Sequence, residues 1–328
     1  MVTLENVAAH AGVSRATVSR VVNGDSNVKL ATRQRIEQAI IDLGYSPNPA
    51  ARALASSQSQ TLGLVTTSYL GGFFGMLMNN VQTEADKSHK QLLVTQGGGT
   101  AANELNAINK LYNMRCDGLI LHVRCMTDQQ LIDLSKTYAF ILLDRNIVGL
   151  ESRCISFDHH LASILVAQFL IEHGHRYIAC ISGPQTRASS RLRYQGFIDT
   201  IITAKLTPIA CISGQYDLPS GYEACNQLLQ QPLRPSAIYC CNEEMALGAL
   251  LAISEYGLRI PDDISLICYD SGERAAFVSP KLTSIHFPIA EMATRATRLL
   301  IDQTSVYEDL KPIIIDRGSV KCLSLLTQ

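Results

Sequence analysis

Apolar positions in the first 45 residues recur at helical spacing. Leu4, Val7, Ala8 and Ala11 share one face, and Gly12 then interrupts the pattern. Glycine takes the left-handed backbone that ends a helix at little cost. Val18, Val21 and Val22 make the apolar face of a second helix. Ser14 can cap its start, the hydroxyl accepting an orphan backbone N–H. Ile36, Ala39, Ile40 and Leu43 stripe a third helix over about 30–43, stopped by Gly44. From Thr61 the period changes. LGLVTT, QLLVTQ, GLILHV, FILLD and CISF are apolar runs of strand length, separated by helical stretches at 73–88, 101–114 and 127–137. YIACIS, PIACIS, AIYCC and ISLICYD repeat the scheme, with helices over 161–173, 191–204, 220–229 and 243–255. Near-continuous apolar strands alternating with helices predict parallel sheets covered on both faces. The fold class is therefore an α head joined to an α/β body of two similar lobes. Ligands of such sheets bind at the carboxyl ends of the strands.

The polar face of the second helix carries Ser14, Arg15, Ala16, Thr17, Ser19 and Arg20. A short helix, a glycine turn and a second helix with hydroxyls and guanidiniums outward form a helix-turn-helix. Its second helix lies in the DNA major groove. Arginine pairs bidentately with guanine and alanine leaves room for a thymine methyl, so Arg15, Ala16 and Arg20 are the candidate base readers. Thr3, Ser14, Thr17 and Asn23 are candidate phosphate contacts. After the third helix, Pro47 and Pro49 hold the chain extended, 50–55 can form one or two helical turns, and SSQSQ is a polar linker.

With 328 residues, 47% hydrophobic and 17% charged, the chain has the length for two or three units and the composition of a globular protein. No apolar run approaches the ~20 residues of a membrane helix. The N-terminus reads directly into an amphipathic helix, so no signal peptide and a cytoplasmic location are expected. Six Lys and Arg face four Asp and Glu in residues 1–60, a net +2 that leaves −3 for the remainder. So weak a basic footprint calls for two heads acting together on DNA. The ten cysteines lie mostly in apolar segments and lack zinc-ligand spacing; neither metal nor cofactor is expected. There is no G-x-S-x-G elbow, H-E-x-x-H motif or dinucleotide fingerprint, so catalysis has no support.

Candidate ligand groups stand where strands end. Phe73 and Phe74 follow the Gly71-Gly72 turn and offer faces for a pyranose or a base. Asp144 and Arg145 end FILLDR, and Asp158 follows ISF. These charges can hydrogen-bond sugar hydroxyls, although Asp158 can equally cap the next helix. Lone histidines such as His122, His173 and His286 read as structural.

AGVSRATVSRVVNG resembles the DNA-binding signature of the LacI/GalR family of bacterial repressors, and the likeness continues over nearly the whole chain. The resemblance implies a helix-turn-helix domain at 1–46, a hinge helix and linker at 47–60, and an effector-binding and dimerisation domain at 61–328. It implies a periplasmic-binding-protein-like sensor, with one lobe at about 61–157 and 289–328 and the other at 158–288. Ala51 and Leu54 in the hinge are the further DNA contacts it implies, Leu54 as a minor-groove wedge. In RLRYQGF it points to Arg193 as reaching the effector. CCNEEMALGAL points to Asn242, with Glu243 where Asp is usual. LICYDSGE points to Asp270, with Cys268 in place of Gly, and LTSIHFPI to Phe287. Stretches such as LHVRCMTD and NIVGLESRCISFD are similar to the galactose repressor and isorepressor branch. That branch implies D-galactose as inducer, a palindromic double-stranded operator and a homodimer. The residue chemistry alone leaves a purine or a β-glucoside open. From other classes, the rivals are a sugar-binding transport receptor, which the fold fits, and a sugar-metabolising α/β enzyme.

Overall fold

The computed structural model describes residues 2–22, 24–25, 27–46, 59–206, 210–270, 272–302 and 310–323. Asn23 and the hinge segment 47–58, with Ala51 and Leu54, lie outside the described residues. The chain divides between Gln60 and Thr61 into two compact units.

The first unit holds α1 (Leu4–Ala11), α2 (Arg15–Val22) and α3 (Leu30–Leu43). Thr3 caps α1 in a reciprocal box with Asn6, and Gly12 ends it at φ 63°. Ser14 Oγ accepts the Thr17 N–H at 3.2 Å, starting α2. Val7, Ala8, Ala11, Val18, Val21, Ile36 and Ala39 close the core, with Val13, Ile40 and Leu43 packed against it. The three stripes of the sequence thus meet in one small core.

The second unit has two sheets. The first contains β1 (Thr61–Thr66), β2 (Gln91–Gln96), β3 (Gly118–Leu121), β4 (Phe140–Leu143) and β5 (Cys154–Ile155), all parallel, in the order β2-β1-β3-β4-β5. Leu64, Ile120, Ile141 and Leu143 point to one core, while Val65, Leu119, Leu121, Phe140 and Leu142 point to another. This alternation, apolar on both sides, is why the strands read as unbroken hydrophobic runs. The helices between them are α4 (Gly72–Lys87), α5 (Ala101–Asn113) and α6 (Asp128–Ser135).

The second sheet holds β6 (Ile178–Ser182), β7 (Cys211–Ser213), β8 (Ala237–Cys240), β9 (Ser265–Tyr269), β10 (Thr283–His286) and β11 (Ile313–Ile315), in the order β11-β10-β9-β8-β6-β7. It is covered by α7 (His159–Glu172), α8 (Ala188–Thr203), α9 (Leu218–Leu229) and α10 (Glu243–Glu255). A short α11 (Glu273–Phe277) follows β9, and α12 (Ile289–Asp302) follows β10.

The end of the chain corrects the sequence reading, which assigned 289–328 to the first lobe. Among the described residues of that segment only α12 returns there, packing on α4, β3 and β4, with Arg298 Nε 2.7 Å from Glu84 Oε1. β11 then pairs antiparallel with β10, Ser284 opposite Ile315. Ser319 Oγ donates to the Leu266 carbonyl at 2.5 Å and accepts the Thr283 N–H. An edge strand leaves a row of backbone groups unpaired, and 313–315 satisfies it for β10. β10 itself, with its mixed TSIH sequence, gave no strand signal.

Candidate functional site

Between the two lobes of the body, at the carboxyl ends of both sets of strands, lies a cavity of about 550 Å³. The first lobe contributes Thr67, Phe73, Phe74, His122 and Arg124, and the second contributes Arg193, Tyr216, Asn242, Asp270 and Phe287. Six of the nine effector residues expected from sequence meet here: Phe73, Phe74, Arg193, Asn242, Asp270 and Phe287.

The apolar floor is built from rings. Phe287 follows β10, is almost fully buried, and stacks on Phe73 with centroids 5.6 Å apart and planes 7° from parallel. Phe74 meets Phe73 edge-on at 5.1 Å.

Arg193 sits on the buried face of α8. Gly196, one turn on, lets α8 approach α7 closely; a Cβ there would collide with the His160 carbonyl. Arg193 Nη1 donates to the Cys241 carbonyl at 2.6 Å, and its guanidinium lies 3.6 Å from the Tyr269 ring centroid. Such a cation–π contact helps hold the buried charge in place. Asn242 caps α10, accepting the Met245 N–H at 3.0 Å and donating to the Tyr216 carbonyl at 3.1 Å. Neighbouring Glu243 is buried and accepts the Ala275 N–H at 2.9 Å, capping α11 from outside that helix. Burial pushes its carboxyl up from the ordinary value.

Asp270 ends β9 with φ 70°, a left-handed turn that Asp tolerates better than most residues. Its Oδ1 is buried without a hydrogen-bond partner among the described residues. Burial raises its carboxyl to about 6, and Arg193 opposes the shift. His122 is the counterpart in the first lobe. Its Nε2 lies 2.7 Å from Arg124 Nη2, which can only donate, so the proton of the neutral ring sits on Nδ1. That Nδ1 is buried and also lacks a partner. Burial and the Arg124 charge hold the imidazole neutral, well below its ordinary pKa. Two buried polar atoms beside the cavity thus lack a partner among the described residues, a donor in the first lobe and an acceptor in the second.

Three expected residues do not line the cavity. Asp144 ends β4 at φ 58°, but its side chain is buried behind the wall, 2.5 Å from Arg124 Nη2 and 2.6 Å from His159 Nε2. Burial alone would raise its pKa; His159 and Arg124 together hold it well below the carboxylate range. Arg145 turns away to Asp128 and the Met126 carbonyl. Asp158 is exposed and caps α7 through the Leu161 N–H at 2.8 Å. Asp144 and Arg145 follow an opposite charge, and Asp158 a helix end, rather than the cleft.

His122, taken as structural in the sequence, is in the site. Its signal was its place immediately after β3, the same strand-end position that carries Asp144 and Asp270. Arg124, Arg187, Tyr216 and Arg274 were also missed. Arg124 is aimed by a loop whose N–H groups, from Arg124 to Met126, all bond the buried Glu104 carboxylate. At the mouth, Arg274 pairs with Glu244 against the Gly71-Gly72 turn; a Cβ on Gly72 would lie 3.3 Å from Arg274 Nη2.

On the head, Arg15, Ala16 and Arg20 are exposed on the face of α2 opposite Val18 and Val21. Arg15 Nε lies 2.9 Å from Glu5 Oε1, a surface pair that water and salt readily exchange. The hydroxyls of Thr3, Ser14 and Thr17 are engaged in local caps. Among the described residues no group of three or more His, Cys, Asp or Glu is placed to hold a metal, and no helix is long and apolar enough to cross a membrane.

A helix-turn-helix head and a two-lobed body closed around a cavity define a ligand-responsive DNA-binding regulator. Residues 3–48 match the model for bacterial regulatory proteins of the lacI family, and residues 167–320 match the periplasmic binding protein-like domain. The chain is 33% identical to the HTH-type transcriptional regulator GalS of Salmonella typhimurium, covering 98% of this chain and 97% of that one. It is 32% identical to the HTH-type transcriptional repressor PurR of Pasteurella multocida, covering 98% and 99%. The crystal structure of the lac repressor dimer bound to operator and the anti-inducer ONPF superposes with a TM-score of 0.87 at 31% identity, covering 98% of this chain and 99% of that one. The protein belongs to the lacI family of bacterial regulatory proteins. It is a DNA-binding transcriptional repressor with a ligand-binding body, and its relatives are regulators, not enzymes.

Proposed function

We propose that the effector is a neutral sugar, D-galactose or a close relative, and that it acts as inducer. The observation that carries this is the balance of the cavity lining. Four guanidiniums (Arg124, Arg187, Arg193, Arg274) face four carboxyls (Glu243, Glu244, Asp270, Glu273), beside aromatic faces. That balance favours an uncharged ligand with many hydroxyls over an anion. A hydroxyl can accept from His122 Nδ1–H, and another can donate to Asp270 Oδ1. Phe73 and Phe287 already stack on each other, so a flat base has no slot between them, whereas a pyranose needs only one ring face. The similarity to GalS supports the same reading. The comparable similarity to PurR is the observation that favours a purine.

In this reading two copies of the chain bind a near-palindromic operator in the cytoplasm. Arg15, Ala16 and Arg20 read base edges and the first turn of α2 approaches phosphate. Sugar between the lobes favours one lobe arrangement and weakens operator binding through the hinge at 47–60. It does so only to the extent that it binds the two arrangements unequally.

Titration calorimetry of the full chain with D-galactose, D-glucose, a β-glucoside and hypoxanthine tests the effector. Saturable heat with galactose, and none with hypoxanthine, is expected. Heat with hypoxanthine alone would transfer the site to purines.

A further inference from the structure

Behind the cavity wall, Asp144, His159 and Tyr269 join the cavity-lining His122, Arg124 and Arg193 into one chain of polar groups. From the first lobe, Arg124 Nη2 donates to Asp144 Oδ2 at 2.5 Å and to His122 Nε2 at 2.7 Å. His159 Nε2 lies 2.6 Å from Asp144 Oδ1. On the other side of the same ring, Nδ1 lies 2.6 Å from Tyr269 Oη and 3.3 Å from Arg193 Nε. Arginine only donates, so Nδ1 is the acceptor and the proton sits on Nε2, donated to Asp144. His159 is the first residue of α7, a few residues after β5, where the chain leaves the first sheet for the second. It is buried, and Phe157 and Phe287 pack on its ring at 5.6 and 5.3 Å.

We propose that His159 is a positioning residue that joins Asp144 of the first lobe to Arg193 of the second, so that the ligand-facing groups of the two lobes are set together. The inference rests on the ligand cavity proposed above. An imidazole suits this place because its two nitrogens point in opposite directions from one rigid plane. The donor end fixes Asp144, which fixes Arg124, which in turn fixes the His122 tautomer and leaves its proton on the unpartnered Nδ1. The acceptor end orients Arg193 and Tyr269, and Tyr269, the last residue of β9, immediately precedes Asp270. The unpaired donor of one lobe and the unpaired acceptor of the other thus connect to a single ring. A ligand that pulls on both is read by one rigid group rather than by two loops.

Two substitutions separate the halves. In His159→Gln the amide nitrogen reaches the Nε2 position, keeping a donor for Asp144 but losing the acceptor for Arg193. In His159→Asn the amide oxygen reaches the Nδ1 position, keeping the acceptor and losing the link to Asp144. The primary readout needs no ligand: histidine side-chain ¹⁵N NMR of the full chain. His159 is expected as the Nε2–H tautomer, with resonances that move in both Asp144→Asn and Arg193→Lys. A ring that responds to only one of them, or that carries its proton on Nδ1, overturns the proposal. The second readout is the ratio of operator affinities without and with D-galactose, taken within each variant after thermal melting confirms folding. Couplings of this kind span about 5- to 150-fold, and each half-variant is expected to shrink the ratio severalfold towards one. An undiminished ratio in both folded variants overturns the proposal. If the unsubstituted protein ignores galactose, the effector assignment fails, and the NMR result still decides the role of His159.

Discussion

Asp144 and Asp270 show how environment separates two carboxylates in equivalent places. Both end parallel strands in left-handed turns, at φ 58° and 70°. Asp144 is wedged between Arg124 and His159 and stays ionised well below the usual range. Asp270 is half-buried, with Oδ1 buried and unpartnered among the described residues, and its carboxyl rises to about 6. The linkage signs are opposite. The stability Asp144 provides is complete above its unfolded pKa and is lost only in strong acid, so it gives no slope between pH 5 and 8. Asp270 opposes folding once ionised, and that penalty is relieved as pH falls through about 6. Sugar hydroxyls need the carboxylate as acceptor. Galactose affinity is therefore expected to be level above pH 7 and to fall towards tenfold per unit below about 6. Asp270→Asn is expected to lower affinity at pH 7.5 and remove the pH step in calorimetry; a step that persists in the variant would assign it elsewhere. Sequence reasoning could place both aspartates at strand ends, but not tell which faces the cavity. That depends on Arg124 and His159, which are near Asp144 only in space.

At the scale of elements, periodicity carried most of the fold. Helices with strong stripes and strands apolar on both faces were legible because burial imposes those periods. What escaped is what burial does not pattern: α11, only five residues long, the mixed strand β10, and β11, whose pairing is decided by the unsatisfied edge it covers. Asp158 illustrates the same limit, since strand-end ligand and helix cap look alike in sequence and the α7 amide decides. Asp158→Ala is expected to cost the body about 1 kcal/mol, the usual worth of an N-cap, read as a shift in its denaturation midpoint. Galactose affinity should be unchanged within error. A variant of native stability that loses galactose binding would return Asp158 to the site.

At the scale of the whole molecule, the chain couples a head that reads DNA to a body that holds a ligand. The head is only mildly basic, +2 over residues 1–60, and the body is mildly acidic. A single head gains little from phosphate contacts, so operator binding should depend on two copies and on matched half-sites. Affinity should accordingly fall with added salt less steeply than for a strongly basic head. The family, the two-lobed body and the helix-turn-helix were legible in AGVSRATVSRVVNG and in the strand–helix alternation. The effector was not, because ligand choice rests on a few side chains brought together by both sheets. The most direct measurement is fluorescence anisotropy of a labelled palindromic site from upstream of its own or a neighbouring sugar operon, bound by the full chain at moderate salt and titrated with D-galactose. The account predicts preference for the palindrome over scrambled DNA of equal length, and release by galactose but not by glucose. Equal affinity for the palindrome and the scrambled duplex would contradict it.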